Sequence, residues 1–304
     1  MVTRFLAISA LAGAVVASCA GAQPAQPAQP AQPGKAAFDD GIRLMGLNKA
    51  PEAEKQFEKA IAADANNARY HLWLGNAVGQ QAQEASVLRQ PFLARRLKAE
   101  FEKAVHLDPN LLDARDGLIS FYMRAPGVMG GGQDKAIEQQ KEIAKRDAYR
   151  GHLAASNIAW IQNDTAGTER ALRAAVAAAP DSTRAVINLA QRLQSWGRVP
   201  AAFATLDSAL KKQPDDIALR FQYGRMAAVT GENLPRGETL LRALVAAPDW
   251  EMVSFRPSKA AVHFRLGMVL EKSGRKPDAK ASYEKAIALD PNLKAAKDAL
   301  AALR

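Results

Sequence analysis

Apolar and polar residues follow helical spacing along most of the chain, and the pattern recurs. Phe57–Asn66 reads FEKAIAADAN, Phe101–Asn110 reads FEKAVHLDPN and Tyr283–Asn292 reads YEKAIALDPN. Each stretch sets a large ring one helical turn before an alanine, so Phe57 with Ala60, Phe101 with Ala104 and Tyr283 with Ala286 share a helix face. Extending the alignment gives a period of 34 residues broken by insertions, and seven units: 34–67, 68–110, 111–148, 149–182, 183–216, 217–250 and 260–293. Two helical patterns joined by a short turn fill each unit, which predicts an all-α chain. The last segment, 293–304, is too short for another pair and reads as a capping helix over an apolar edge.

The phase of the special residues predicts how the helices pack. One position of the first helix is mostly small: Gly41, Gly75, Leu118, Ser156, Ala190, Gly224 and Gly267. In the second helix, Ala60, Ala104, Ile143, Ala175, Ala209, Ala243 and Ala286 repeat a small position, and Phe57, Phe101, Leu172, Leu206, Leu240 and Tyr283 a large one. Small against large predicts interlocking helices. Between the two helices stand Asn48, Asn163, Gly197, Gly231 and Gly274, residue types that enter the left-handed conformation ending a helix. Pro51, Pro200 and Pro277 follow three places later, with Pro235 one place off, where a missing N–H costs nothing. Pro109, Pro180, Pro214, Pro248 and Pro291 close five of the units.

Residues of these types at these phases resemble the tetratricopeptide repeat family, and the resemblance covers essentially all of 35–304. It implies a right-handed superhelical α-solenoid, a non-catalytic scaffold with no cofactor, whose first helices line a concave groove for a protein or peptide. Carried over by phase, that groove comprises Arg69, Asn76, Arg115, Tyr122, Arg150, Asn157, Trp160, Arg184, Asn188, Gln191, Gln194, Phe221, Arg225 and Arg265, with Asp116 and Glu271 as nearby acids. Cations, amides and a few aromatics suit acidic or extended peptide segments. An anionic cell-wall polymer following the same basic track is the alternative. The full local pattern by which some family members clasp a peptide's C-terminal carboxylate is not present.

Three insertions set this chain apart. About ten extra residues fall in Gln80–Arg96, the segment Arg124–Asp134 carries Gly130–Gly132, and a third insertion starts at Glu251. The glycine run reads as a long turn between helices; its other reading is a nest of N–H groups for an anion.

The N-terminus bears on location. Residues 1–18 read as a lipoprotein-type signal peptide, with cleavage after Ala22 as the alternative. Cys19, the only cysteine, would then be the lipidated residue, and no intramolecular disulfide can form. The Ala/Gln/Pro run through 19–34 reads as a polyproline tether, and 35–304 as the solenoid. Expected is an extracytoplasmic protein, periplasmic or lipid-anchored in a bacterial envelope, the outer membrane included. With 41 Lys and Arg against 31 Asp and Glu the chain is basic, yet a secretory leader removes it from DNA, so no nucleic acid is expected and membrane contact only through the lipid.

Catalytic patterns are not found in the sequence: no HExxH pair, phosphate loop or nucleophile elbow. The strings Ser208–Lys211 and Ser282–Lys285 lie on second helices without companion motifs. His71, His152 and His263 share a phase usually given to packing residues, and His106 stands alone.

Overall fold

The computed structural model describes residues 32–250 and 256–303. The expected signal peptide, Cys19 and most of the expected tether lie outside the described residues, as do residues 251–255 of the third insertion. Fifteen α-helices and no strand make up the described residues, arranged as seven antiparallel pairs and a cap. The first three pairs are α1 (Lys35–Gly46) with α2 (Ala50–Ala63), α3 (Ala68–Glu84) with α4 (Gln90–Leu107), and α5 (Leu112–Arg124) with α6 (Gln133–Arg146). Next come α7 (Ala148–Ile161) with α8 (Thr165–Ala178), and α9 (Thr183–Ser195) with α10 (Val199–Lys212). The last pairs are α11 (Ile217–Thr230) with α12 (Leu234–Ala246), and α13 (Lys259–Lys272) with α14 (Lys276–Leu289), before the cap α15 (Lys294–Ala302). The chain is thus an all-α solenoid.

Local chemistry starts and stops these helices. Asn67, Asp147, Ser182, Asp216 and Ser258 each accept a hydrogen bond from a backbone N–H in the first turn of α3, α7, α9, α11 and α13. Asn48, Asn163, Gly197, Gly231 and Gly274 all take positive φ, as their place between helices predicts. Proline stands in the first turn of α2, α10, α12 and α14, and Pro91 does the same for α4. The insertion in Gln80–Arg96 is not a loop: it lengthens α3 to 17 and α4 to 18 residues and leaves a short exposed connection.

Packing inside a pair rests on bare backbone meeting a large side chain. A Cβ added at Gly41 would lie 2.5 Å from the Phe57 ring, at Gly75 2.6 Å from Phe101, at Gly224 2.3 Å from Leu241 and at Gly267 2.4 Å from Tyr283. Phe101 is gripped from both sides, since a Cβ at Gly117 of the next pair would lie 2.7 Å from it. In the sixth pair the sequence expectation is off by one. Leu241 and Leu244 are fully buried, whereas Leu240 is half-buried and Ala243 exposed. The cause is one extra residue in the turn, where Gly231 and Asn233 both have positive φ and α12 starts one place late. Pro235 marks the same shift.

First helices pack side by side, α1 on α3, α3 on α5, α5 on α7, α9 on α11 and α11 on α13, while α7 and α9 stand further apart. The apolar core falls into three clusters, and the fourth pair is divided between two of them: Ala154 and Ile158 of α7 join one, Leu172 of α8 the other. One cluster runs from Leu172 to Tyr283, another from Leu72 to Ile158, and a third joins Phe38 to Val78. Across the outer layer, ion pairs tie second helices together: Arg96 with Glu54 and Glu58, Arg198 with Glu169, and Arg275 with Glu238 at 2.8 Å. Surface pairs of this kind add ~0 to 1 kcal/mol each, so they adjust the stack rather than hold it.

His71 is buried, with Nδ1 2.7 Å from Glu100 Oε2 and Nε2 3.0 Å from the Ala65 carbonyl. It is a packing residue with a charge partner. The hydrogen bond to Glu100 lifts its pKa above the ordinary imidazole value, against the opposing effect of burial.

Two outcomes follow from these contacts. Gly75→Ala must displace the Phe101 ring and should cost about 1 to 3 kcal/mol in urea unfolding, whereas Gly46→Ala, with nothing within 4 Å of the new Cβ, should be neutral or slightly stabilising. Because the folded pKa of His71 is raised, its contribution is complete below the unfolded value of about 6.5 and fades as pH rises through the folded value. The urea midpoint of the parent should therefore fall towards that of His71→Gln across this window, and parallel pH curves would exclude the pair as its source.

Candidate ligand groove

Where α7 and α9 separate, a groove of about 710 Å³ opens on the face formed by first helices. α5 contributes Asp113, Asp116 and Ser120, α7 contributes Tyr149, Arg150, Leu153 and Asn157, and α9 contributes Arg184, Asn188, Gln191, Arg192 and Ser195. Five residues named from the sequence therefore meet in one cavity: Arg150, Asn157, Arg184, Asn188 and Gln191. Arg192 lines the same wall and was not named, although it stands 32 residues, close to one period, after Trp160. Its guanidinium lies 3.6 Å from the centroid of the Trp160 ring.

The arginines of this face fall into two electrostatic kinds. Arg150 is already paired: one Nη donates to Asp113 and to Asp116, each at 2.6 Å. Burial acts to lower its pKa, but the bonds to Asp116 and Asp113 outweigh it and leave the value above the ordinary one. Arg192, Arg225 and Arg265, on α9, α11 and α13, have no carboxylate partner among the described residues. Burial lowers all three below the ordinary guanidinium value, and for Arg265 the neighbouring Arg225 charge lowers it further. Arg225 Nε donates to Gln222 Oε1 at 3.0 Å and its Nη to Gln194 Oε1 at 3.3 Å. Arg265 lies 4.9 Å over the Phe264 ring and reaches only the Met268 sulfur, at 3.1 Å. Amides, rings and a thioether orient these cations without neutralising them. The acid expected nearby, Glu271, is engaged by the Tyr283 hydroxyl at 2.6 Å.

Other residues named from the sequence have different surroundings. Arg115 is buried between α5 and α6, donating to the Pro109 carbonyl at 3.2 Å and Gln139 Oε1 at 2.7 Å. Tyr122 is buried too; burial, then the charge of Glu102 3.2 Å from its hydroxyl, push its pKa up to about 12. Both hold helices together. Arg69 is exposed at the start of α3, 5.7 Å over Phe38, and Asn76 is half-buried on the same helix. Gln194 and Phe221 adjoin the Arg225 network, Phe221 packed against the core. The glycine run offers no anion nest: Gly130, Gly131 and Gly132 donate to Gly127, Pro126 and Tyr122 carbonyls. It is a long turn, and at Gly131 a Cβ would lie 1.8 Å from the Ala125 oxygen.

Among the described residues no cluster of three or more His, Cys, Asp or Glu side chains is placed to hold a metal ion.

Tetratricopeptide repeat family models match residues 38–85 and 260–293. No curated protein matches the chain in sequence. Among solved structures, yeast Tom70 aligns at a TM-score of 0.58 with 11% identity, covering 93% of this chain and 58% of that one. A tetratricopeptide repeat protein from Parabacteroides merdae ATCC 43184 aligns at 0.48 with 12% identity, covering 90% of this chain and 99% of that one. YrrB, described as a TPR protein with an unusual peptide-binding site, aligns at 0.39 with 17% identity, covering 80% and 96%.

Proposed function

We propose, from the premise that this chain is a tetratricopeptide-repeat scaffold for protein–protein interaction, that it holds acidic, extended peptide segments along the first helices, from the cavity lined by α5, α7 and α9 to Arg225 on α11 and Arg265 on α13. The observation that carries this reading is the run of partly buried guanidiniums, Arg192, Arg225 and Arg265, directed by a ring, two amides and a sulfur and with no carboxylate beside them among the described residues. A buried cation without a counter-charge costs folding energy, and an acidic ligand offsets that cost on binding. Arg150, by contrast, is occupied by Asp113 and Asp116, so a ligand must compete for it. The apolar surface of Trp160 and Leu153 supplies contact that does not depend on charge.

The protein works outside the cytoplasm, held at an envelope membrane by lipid on Cys19 and spaced from it by the Ala/Gln/Pro run; the sequence of residues 1–34 supports this. No reaction is assigned to it. An anionic cell-wall polymer is the competing ligand, and salt separates the two, since binding through many arginines alone collapses steeply as salt rises.

Titrating a fluorescent, glutamate-rich peptide bearing one aromatic residue tests the groove. Arg225→Gln with Arg265→Gln should weaken binding about tenfold or more, and Asp113→Asn with Asp116→Asn, which releases Arg150, should strengthen it severalfold. Unchanged affinity in both variants would sink the proposal; preference for a teichoic-acid-type polymer, lost steeply with salt, would favour the competitor. For the location, Cys19→Ala should abolish labelling by a radioactive fatty acid and make recovery with membranes sensitive to a salt wash that leaves the parent in place.

A further inference from the structure

The connections after α3 and α5 share one edge of the solenoid, because parallel first helices end on the same side. Four large apolar side chains project from that edge: Val87 at 80% exposure, Leu88 at 83%, Phe92 at 73% and Val128 at 94%. Their positions are fixed by what lies beneath. α4 packs Leu93, Ala94 and Leu97 against the core, which turns Phe92 outwards, and the turn at Gly127–Met129 is closed by Met129 N–H donating to the Pro126 carbonyl at 2.9 Å. The two tips adjoin along α4, where the Lys98 ammonium comes within 3.4 Å of the space above Gly130.

Charge around the tips has one sign. Residues 85–99 contain Arg89, Arg95, Arg96 and Lys98 and no acid; residues 123–132 contain Arg124 and no acid. Arg96 turns back to Glu54 and Glu58, and Lys98 lies 3.4 Å from Glu102. Arg89, Arg95 and Arg124 are exposed and make no ion pair among the described residues. Along the sequence the flanking acids are Glu84 and Asp134, and Glu102 approaches the second tip through Lys98.

We infer that this edge is a membrane-contacting knob: Val87, Leu88, Phe92 and Val128 enter the interfacial layer of an anionic phospholipid bilayer, and Arg89, Arg95 and Arg124 meet its headgroups. Shape and charge together select lipid. Convex apolar tips give a protein partner little enclosed contact, whereas an acyl layer closes around them, and unpaired guanidiniums beside them complement anionic headgroups. No helix among the described residues is long and apolar enough to cross a membrane, so the contact is interfacial. It rests neither on the groove nor on lipid at Cys19.

The test is amide hydrogen exchange of the full chain, read segment by segment, without lipid, with phosphatidylcholine vesicles, and with vesicles that also contain phosphatidylglycerol. Local readout separates the knob from any hold by the N-terminal segment. Residues 85–95 and 125–131 should slow about tenfold or more on the anionic vesicles only. Leu88→Glu with Phe92→Glu should abolish that slowing while keeping parental helicity, and Arg89→Gln with Arg95→Gln should reduce it roughly tenfold at low salt. Unaltered exchange there on anionic vesicles, or equal slowing on both kinds, overturns the inference. Slowing that grows with protein concentration in the absence of lipid also overturns it, assigning the knob to a second copy of the chain.

Discussion

The tightest constraint in the molecule is the seat of a second-helix side chain on the bare backbone of a first-helix glycine. Phe57 on Gly41, Phe101 on Gly75, Leu241 on Gly224 and Tyr283 on Gly267 leave no room for even a methyl group. That contact sets how closely the two helices of a pair approach, and so how far the first helices can reach towards their neighbours. Phe101 extends the principle between pairs, because Gly117 of the following helix closes on its other side. Elsewhere Ala190 and Ser156 occupy the glycine position, both still buried, and the Ser156 hydroxyl donates to the Leu153 carbonyl. Ser156 also lines the groove.

A solenoid puts first helices on its inner face irrespective of their side chains, so geometry alone does not make a binding site. The distribution of compensated charge is what sets the two walls of this face apart. On one wall Arg150 is held by two aspartates; on the other, Arg192, Arg225 and Arg265 are directed by a ring, two amides and a sulfur. In the first arrangement two carboxylates outnumber one guanidinium, and in the second the cations have no acid beside them among the described residues. Polar groups that orient a cation while leaving its charge intact are what distinguish a receptive surface from an ion-paired one.

Most of the fold was legible because turn and packing residues recur at a fixed phase. Five left-handed positions and four helix-opening prolines could be placed from spacing alone. The same reasoning misplaced Leu240 and Ala243, since one extra turn residue moves every later side chain round the helix by about 100°. Pro235 carried that signal. The candidate site was less legible, for a different reason. Phase says which face a residue occupies, but not whether a partner from another helix has claimed it. Arg115 shares the type and phase of its fellows yet is locked to Gln139, and the aspartates that claim Arg150 lie 37 and 34 residues before it. Arg192 escaped notice because its contact, Trp160, belongs to a different unit.

The separation of α7 from α9 has a mechanical side. To one side lies the apolar cluster ending at Ile158, to the other the cluster beginning at Leu172. Across the gap between the two first helices run the Tyr149–Ser182 hydrogen bond of 2.9 Å and the Arg192–Trp160 stack. Contacts of this sort slide and reform more readily than interdigitated side chains. Apolar contact persists beside them, since Leu172 of α8 belongs to the α9 cluster and Leu153 of α7 packs against it, so the joint is narrowed rather than broken.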